Sequence, residues 1–497
     1  MENAVQDLEQ AKDISELSWI SSSVTERLSA SGDTTGIPYY HYRWKKKWLA
    51  DYVAWPTSEE EVSAILKYAF KHRIPVVPRG GGTCYFGSGS PTRGGIIIDT
   101  KRLAEIIEVN PEEEWVHVQA GSVWEVTDRK LAKHGYALRV WPQSGIASTL
   151  AGWLAIGGKA GIGTPKYGSM LDNLVELTVI RPNGELETIS GDDMKIFFGT
   201  AGIAGLVTSM KLKIRRIPEA TDGLMAGFNS MSESLAAVKT LAESEAKPFY
   251  LRLADPEYEW RIQGGLPANI KGKYYVVVTY EGSTSEVEKA LVEAQNIVDE
   301  GNGEILPKKF YNISWEDRFI VEMKLKLEVP TLSMQNYWIG VDDTIPVLEK
   351  MYDIGRKYRI NSCFYLVLGH DNLVRLCVFA PSDHRHWMHF MSGKSMLHRL
   401  TKLSYKQGGV LYTLGLQNTV YLKKFEPELY QSFQEIRSHW DPYDIMNPDK
   451  LTHSNMTYLR MNIMFSLNGY LRRLQAIFRI ARRILEVPAR KMEEKKQ

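Results

Sequence analysis

Three clusters of glycine within residues 80–205 constrain the fold of this chain more than any other feature. The first is Pro78-Arg79-Gly80-Gly81-Gly82-Thr83-Cys84-Tyr85-Phe86-Gly87, directly after the strand signal Ile74–Pro78. Consecutive glycines let the backbone enter positive φ and turn successive N–H groups into one concavity. Such a nest takes an anion without basic side chains; the alternative is a plain tight loop. No Gly-Lys-Ser/Thr closes the loop, and no G-x-G-x-x-G opens a helix here, so neither common nucleotide fingerprint applies.

The second cluster runs from Thr149 to Gly168, with six glycines in seventeen residues and Asp172-Asn173 just beyond. That density argues against stable helix and for close approach of backbone to something else. The third is Gly199–Gly205. Three clusters in one region suit a single long ligand gripped along its length, and a dinucleotide is such a ligand.

The stretches between them mix strand and helix. Asp51–Trp55 reads as a strand. A helix follows, with Thr57 or Ser58 as its cap, Glu59–Glu61 in its first turn, and Val62, Ile65, Leu66 and Ala69 on one face. Asn183-Gly184 marks a hairpin after the strand Leu174–Ile180. Pro218 to about Gly223 reads as a boundary. Beyond it, 273–280 and 364–368 read as strands, and 285–299 and 344–358 as helices. This is an α+β pattern with an expected division into a polar helical lead-in (1–48), a ligand domain in two subdomains (49–218), a second domain (219–455) and a tail (456–497).

Composition excludes several classes. The formal net charge of +2 steers nothing towards nucleic acid. Cys84, Cys363 and Cys377 are odd in number and far apart, so they form no disulfide framework and no C-x-x-C metal or cluster site. The N-terminus lacks a signal-type apolar segment and no apolar run approaches the roughly 20 residues needed to span a bilayer. The expected location is the cytoplasm.

The order of these motifs resembles the flavoprotein family of vanillyl-alcohol oxidase and p-cresol methylhydroxylase, and within it the glycolate oxidase and D-lactate dehydrogenase branch. The resemblance rests on Arg79–Thr83, Thr149–Gly152, Tyr167-Gly168, Asp172-Asn173, Gly199–Gly205 and, near the end, Asp441-Pro442 with Met446-Asn447-Pro448-Asp449-Lys450. It spans roughly residues 49–455. It implies an FAD-binding domain of the vanillyl-alcohol oxidase type followed by an α+β substrate (cap) domain. It also implies FAD contacts from Arg79, Gly80, Gly81, Gly82, Thr83 and Cys84; from Gln143, Ser148, Thr149, Gly152, Trp153, Gly157, Gly161, Tyr167, Gly168, Asp172 and Asn173; and from Gly202, Ile203, Gly205 and Val207. Many members attach FAD through a histidine after the first glycines. Thr83 and Cys84 stand there in this chain, so a non-covalent cofactor is expected. Ala201 replaces a family glutamate.

In the second domain the resemblance thins. Gly369-His370-Asp371-Asn372 shortens a family segment that carries two histidines, leaving His370 as a structural group, a base or a ligand. One imidazole and Asp371 make a poor metal site, and no metal is expected. Where the branch has a Glu-His pair, Gln417 and Asn418 offer hydrogen bonds but no base. Arg318, in Trp315-Glu316-Asp317-Arg318, is either a partner for a substrate carboxylate or one half of an ion pair with Asp317 or Glu322. His384, His386 and His389 read as surface. The implied activity is FAD-dependent oxidation of a small 2-hydroxy acid, with electrons passed to a quinone or a partner protein. The alternatives are a flavin-bearing or degenerate subunit of a larger complex, and a flavin transferase, whose histidine run Thr413–Gln417 lacks.

Residues 456–497 hold ten Arg and Lys against three Glu. Over 459–487 apolar residues recur at three- and four-residue steps, with arginines mostly opposite. A basic amphipathic helix suits an anionic membrane surface on the inner face, a partner subunit, or docking on its own domain.

Overall fold

The computed structural model describes residues 6–8, 10, 13–35, 48–263, 272–454 and 456–467. They form three sheets. The first holds Ile20–Ser21, Tyr52–Ala54, Ile96–Asp99 and Val76–Arg79, in that order. Its last three strands are parallel, and Ile96, Ile97 and Ile98 are fully buried, as a strand covered on both faces requires. Helix Glu59–His72 packs on it through Val62, Ile65, Leu66 and Ala69, and its cap is Ser58, whose hydroxyl accepts from Glu61 N at 3.3 Å. The lead-in is not simply helical, which corrects the expectation for residues 1–48. Ile20–Ser21 pairs antiparallel with Val53 and Ala54 and covers the sheet's outer edge, burying Ile20.

The second sheet is antiparallel, in the order Ile106–Asn110, Trp115–Gln119, Leu206–Arg216, Leu174–Ile180, Leu186–Ser190. Tyr136–Leu138 pairs with the end of Leu206–Arg216. The Asn183-Gly184 turn closes its hairpin, with Gly184 at φ 83°. The second glycine cluster is not helix-free. Leu150–Ala155 forms a short helix whose cap, Thr149, accepts from Gly152 N at 3.2 Å, and Thr164–Tyr167 forms another turn. A good cap and the burial of Leu150, Trp153 and Leu154 outweigh the roughly 1 kcal/mol that one interior glycine costs.

Between Arg216 and Ala220 the chain passes into the third sheet. This sheet has eight strands, all antiparallel: Glu304–Ile305, Ala220–Phe228, Tyr274–Gly282, Tyr250–Ala254, Cys363–Leu368, Leu373–Ser382, Thr331–Gly340 and Val410–Leu411. Side chains alternate across it. Phe364, Leu366 and Leu368 face helices Met231–Glu243, Thr284–Glu300, Thr344–Tyr358 and Trp387–Lys406. Cys363, Tyr365 and Val367 face the first half of the chain, where they share a core with Trp141 and Trp153. That second face carries the polar groups described below.

The segment Asp441–Lys450 returns to the first sheet. Val76 N donates to Ile445 O, and Asn447 N donates to Val76 O at 2.7 Å, so the segment closes the edge beside Val76–Arg79. Arg437 organises it, with ion pairs to Asp441 at 2.9 Å and Asp444 at 2.7 Å. Asn447 Nδ2 donates to Ser88 O and Ala201 O and so ties the first and third glycine clusters together. Of the tail, 458–467 is helical. It docks through Met461 and an Asn462–His398 bond of 3.1 Å, and exposes Leu459, Ile463 and Leu467. The rest of the expected amphipathic helix, 468–487, lies outside the described residues.

Asn447→Ala strands two buried carbonyls. We expect it to lower stability by about 2–3 kcal/mol, read as a fall in the denaturant midpoint at unchanged slope. An unaltered midpoint contradicts the role assigned to this side chain.

Candidate functional site

The three glycine clusters converge on one cleft. The residues expected there that line it are Arg79, Gly80, Gly81, Gly82, Thr83, Cys84, Ser148, Thr149, Gly152, Trp153, Gly202, Gly205 and Val207. The loop after strand Val76–Arg79 presses against 147–149. A Cβ on Gly81 would lie 1.9 Å from Ala147 O, and one on Gly80 would lie 2.1 Å from Thr149 Oγ1. Positive φ is not the reason for glycine at 80 and 81, which corrects that expectation. Of the three consecutive glycines only Gly82, at φ 66°, has it; close backbone approach demands the other two. Thr83 Oγ1 meets Ser148 Oγ at 2.9 Å and stitches the loops. Among the described residues, the backbone N–H groups of Gly80, Gly81, Gly82 and Thr83 find no protein acceptor. Consecutive unpaired donors on a cleft wall fit a phosphate-bearing ligand.

Arg79 is tied to the protein at two of its nitrogens. Its Nη1 donates to Gly32 O at 2.6 Å, and its Nε lies 3.8 Å from Asp99. Cys84 is half-buried; desolvation, with the nearby Asp33 charge, pushes its thiol up to about 11.

The remaining expected cofactor residues lie outside the lining and hold the loops in shape. Gly157 packs on Gly199, Gly161 N donates to Thr164 Oγ1, and Tyr167 Oη donates to Glu281 at 2.6 Å. Gly168 abuts Asp172, which accepts from Ser169 N and Oγ. Asn173 Nδ2 donates to Tyr167 O and Ser169 O. Ile203 is buried against Leu422, Phe433 and Leu451.

Gln143 is buried in a polar cluster beside the cleft. Its Oε1 accepts from Arg375 Nη1 at 3.0 Å and lies 3.2 Å from Tyr365 Oη, and its Nε2 donates to Tyr250 Oη at 3.2 Å. Arg375 Nη2 pairs with Glu322 Oε1 at 3.0 Å, and Tyr365 Oη donates to the same oxygen. Arg375 Nε is buried without a partner, and its guanidinium lies over the Tyr412 ring at 5.1 Å. Among the described residues Glu322 Oε2 takes no hydrogen bond. Tyr85 links cluster and cleft. It follows Cys84 in the lining loop, and its phenol is raised by burial and by the Glu322 charge, with Arg375 opposing.

The four expected catalytic residues do not come together. His370 sits in the turn between Cys363–Leu368 and Leu373–Ser382, bonded to Asp371 at 2.7 Å. Arg318 bonds Trp315 O at 2.6 Å and lies over the Trp315 and Phe319 rings. Neither expected ion pair forms, because Asp317 pairs with Lys324 and Glu322 with Arg375. Burial lowers the Arg318 pKa against the pull of Asp128. Gln417 accepts from Lys394 at 2.9 Å, a lysine that burial lowers to about 8. Asn418 is fully engaged with Gln335 and Thr413. Among the described residues no three His, Cys, Asp or Glu side chains gather as a metal site, and no helix is long and apolar enough to cross a membrane.

Sequence reasoning missed Glu322, Tyr365, Arg375 and Asp33. The alternation Cys363, Tyr365, Val367 was a usable signal for Tyr365; nothing local marked the others.

Residues 50–190 match the FAD binding domain family, and residues 217–451 match the C-terminal domain of FAD linked oxidases. The chain is 24% identical to glycolate oxidase subunit GlcD of Bacillus subtilis, over 81% of this chain and 89% of that one. It is 25% identical to a D-lactate dehydrogenase of Archaeoglobus fulgidus, over 80% and 90%. With an alkyldihydroxyacetonephosphate synthase of Dictyostelium discoideum it shares 23% over 81% and 73%. A crystal structure of p-cresol methylhydroxylase with bound substrate superposes with a TM-score of 0.74 at 14% identity, covering 91% of this chain and 97% of that one.

Gly81→Ala forces a Cβ onto the Ala147 carbonyl and must open the loop. We expect purified Gly81→Ala to lose most of its FAD, by the ratio of visible to ultraviolet absorbance. Full occupancy at normal affinity contradicts the phosphate role of the loop.

Proposed function

The chain belongs to the vanillyl-alcohol oxidase and p-cresol methylhydroxylase family of FAD-linked oxidoreductases acting on CH–OH groups, and on that premise we propose that it oxidises a small 2-hydroxy acid. The observation that carries this reading is the buried cluster Gln143–Arg375–Glu322–Tyr365 beside the cleft. It combines a fixed guanidinium having one unspent donor, Arg375 Nε, with a carboxylate having one unspent acceptor, Glu322 Oε2. Glycolate oxidase and D-lactate dehydrogenase are named among the relatives, which supports the substrate class.

The cleft fits FAD by its unpaired N–H groups and by the closeness of its loops. Gly80–Thr83 are assigned to the pyrophosphate and residues 148–153 and 202–207 to the rest of the molecule. Bound FAD supplies a two-electron acceptor for hydride; the protein supplies binding, orientation and proton transfer. Arg375 receives the substrate carboxylate, held in place by Gln143 and by the Tyr412 ring. Glu322 Oε2 takes the hydroxyl proton as the C–H bond breaks, while Tyr365 and Arg375 hold its other oxygen. A positioned base of this kind contributes roughly 10²–10⁴-fold.

The cofactor is held non-covalently in this reading. The linking histidine is absent, and a thiol at about 11 stays protonated near neutral pH and is a poor nucleophile. The transferase reading lacks the histidines at Thr413–Gln417. Electrons leave to a quinone or a partner protein. The stripe Leu459, Ile463 and Leu467 with the basic sequence that follows suits a peripheral position on an anionic membrane.

Four measurements test these points. Glycolate and D-lactate are expected to bleach the flavin absorbance anaerobically; silence with every 2-hydroxy acid in a panel rejects the substrate class. Glu322→Gln is expected to lower kcat by about a hundredfold or more with FAD retained, and Arg375→Lys to raise KM by about tenfold; normal kcat in Glu322→Gln removes the base. Acid precipitation is expected to leave the yellow colour in the supernatant. Colour in the pellet shows a covalent link.

A further inference from the structure

The N-terminal segment brings a carboxylate into the cofactor cleft. Asp33 lines the cleft together with the glycine loop. Two contacts seat the segment. Arg79 Nη1 donates to Gly32 O at 2.6 Å, and the Thr34 hydroxyl reaches Thr83 O and Cys84 O at 2.8 and 2.7 Å. Asp33 Oδ1 accepts from Thr35 N at 2.9 Å, which fixes the carboxylate. Its other oxygen, Oδ2, is buried with no hydrogen-bond partner.

A buried carboxylate oxygen without a partner is costly, and no cation among the described residues comes within ion-pair distance of it. Burial raises its pKa above the ordinary carboxylate value; the Thr35 contacts, and then the fields of Arg79 and Lys450, pull the other way. An ionised carboxylate only accepts hydrogen bonds, and a phosphate offers none. Beside the phosphate nest, the groups attached to a dinucleotide pyrophosphate are the ribityl chain on one side and the adenosine ribose on the other. Both are rich in hydroxyl donors.

We propose that Asp33 accepts a hydrogen bond from a sugar hydroxyl of the bound cofactor, so that the segment before the FAD-binding domain completes the cofactor site. This rests on FAD occupying the cleft. The carboxylate selects a hydroxyl and, being an anion near the pyrophosphate, would weaken binding if no hydroxyl met it. The sign of the effect on affinity therefore decides the matter.

The test is titration of deflavinated full-length protein with FAD, followed by quenching of flavin fluorescence, for the natural chain and for Asp33→Ala. Loss of a hydrogen bond to a charged acceptor is expected to weaken FAD by about tenfold or more. Unchanged or tighter binding overturns the proposal. If Asp33→Ala does not fold, Asp33→Asn carries the test with an expected weakening of about threefold or more; equal affinity overturns it. Competition by FMN and by ADP distinguishes the sugars. Weakened FMN binding assigns the ribityl chain, weakened ADP binding the ribose, and loss of neither overturns the proposal. Failure of the natural chain to bind FAD overturns the cofactor reading itself; normal binding there with an unaffected variant overturns only the role of Asp33.

Discussion

The structure depends on how closely the backbone of residues 80–83 approaches that of 147–149. Two glycines permit this approach, because a Cβ at either would collide with Ala147 O or Thr149 Oγ1. With the loops pressed together, the N–H groups of Gly80–Thr83 have no protein acceptor. A loop with several unpaired donors is a poor piece of structure on its own. It becomes favourable when an anion satisfies them, so the loop's energetics favour the filled state. The same loop is braced from outside by Asn447, by Thr34 and by the Arg79–Gly32 bond. Segments far apart in sequence thus converge on one backbone turn.

The second constraint is register in the eight-stranded sheet. Arg375 lies opposite Val367 and Trp338, and Tyr365 opposite Cys377. Two-residue alternation then directs Tyr365, Val367 and Cys377 to the same side, towards the FAD-binding half. A slip of one residue would turn these groups into the helical layer and remove the polar cluster. Leu366, Leu376 and Val378 on the opposite face, packed against the helices, hold the register.

Much of the first half was legible in the sequence because its signals are local. Ser58 caps its helix, Asn183-Gly184 turns its hairpin, and the glycine clusters meet in one cleft. Each follows from a short stretch of chain. The proposed Glu322–Arg375 pair was not legible. His370, Gln417 and Asn418 stood where family motifs place functional groups, yet each is occupied by a neighbour: Asp371, Lys394, or Gln335 with Thr413. Glu322 and Arg375 meet across 53 residues through a helix and a strand register. No spacing rule brings such a pair together. Asp33 escaped notice for the same reason, since its place depends on a segment laid over a loop some 50 residues later. Helix Leu150–Ala155 shows the limit of propensity, because a threonine cap and buried leucines override one glycine.

In the proposed arrangement an anion-binding backbone loop walls the cleft and a guanidinium–carboxylate pair stands beside it. A crystal structure of the FAD-loaded protein with an unreactive 2-hydroxy acid analogue tests it most directly. Pyrophosphate oxygens are expected on the N–H groups of Gly80–Thr83 and the analogue's carboxylate on Arg375, with its hydroxyl towards Glu322. An analogue seated instead at His370 or Gln417, or a pyrophosphate held away from the glycine loop, would contradict it.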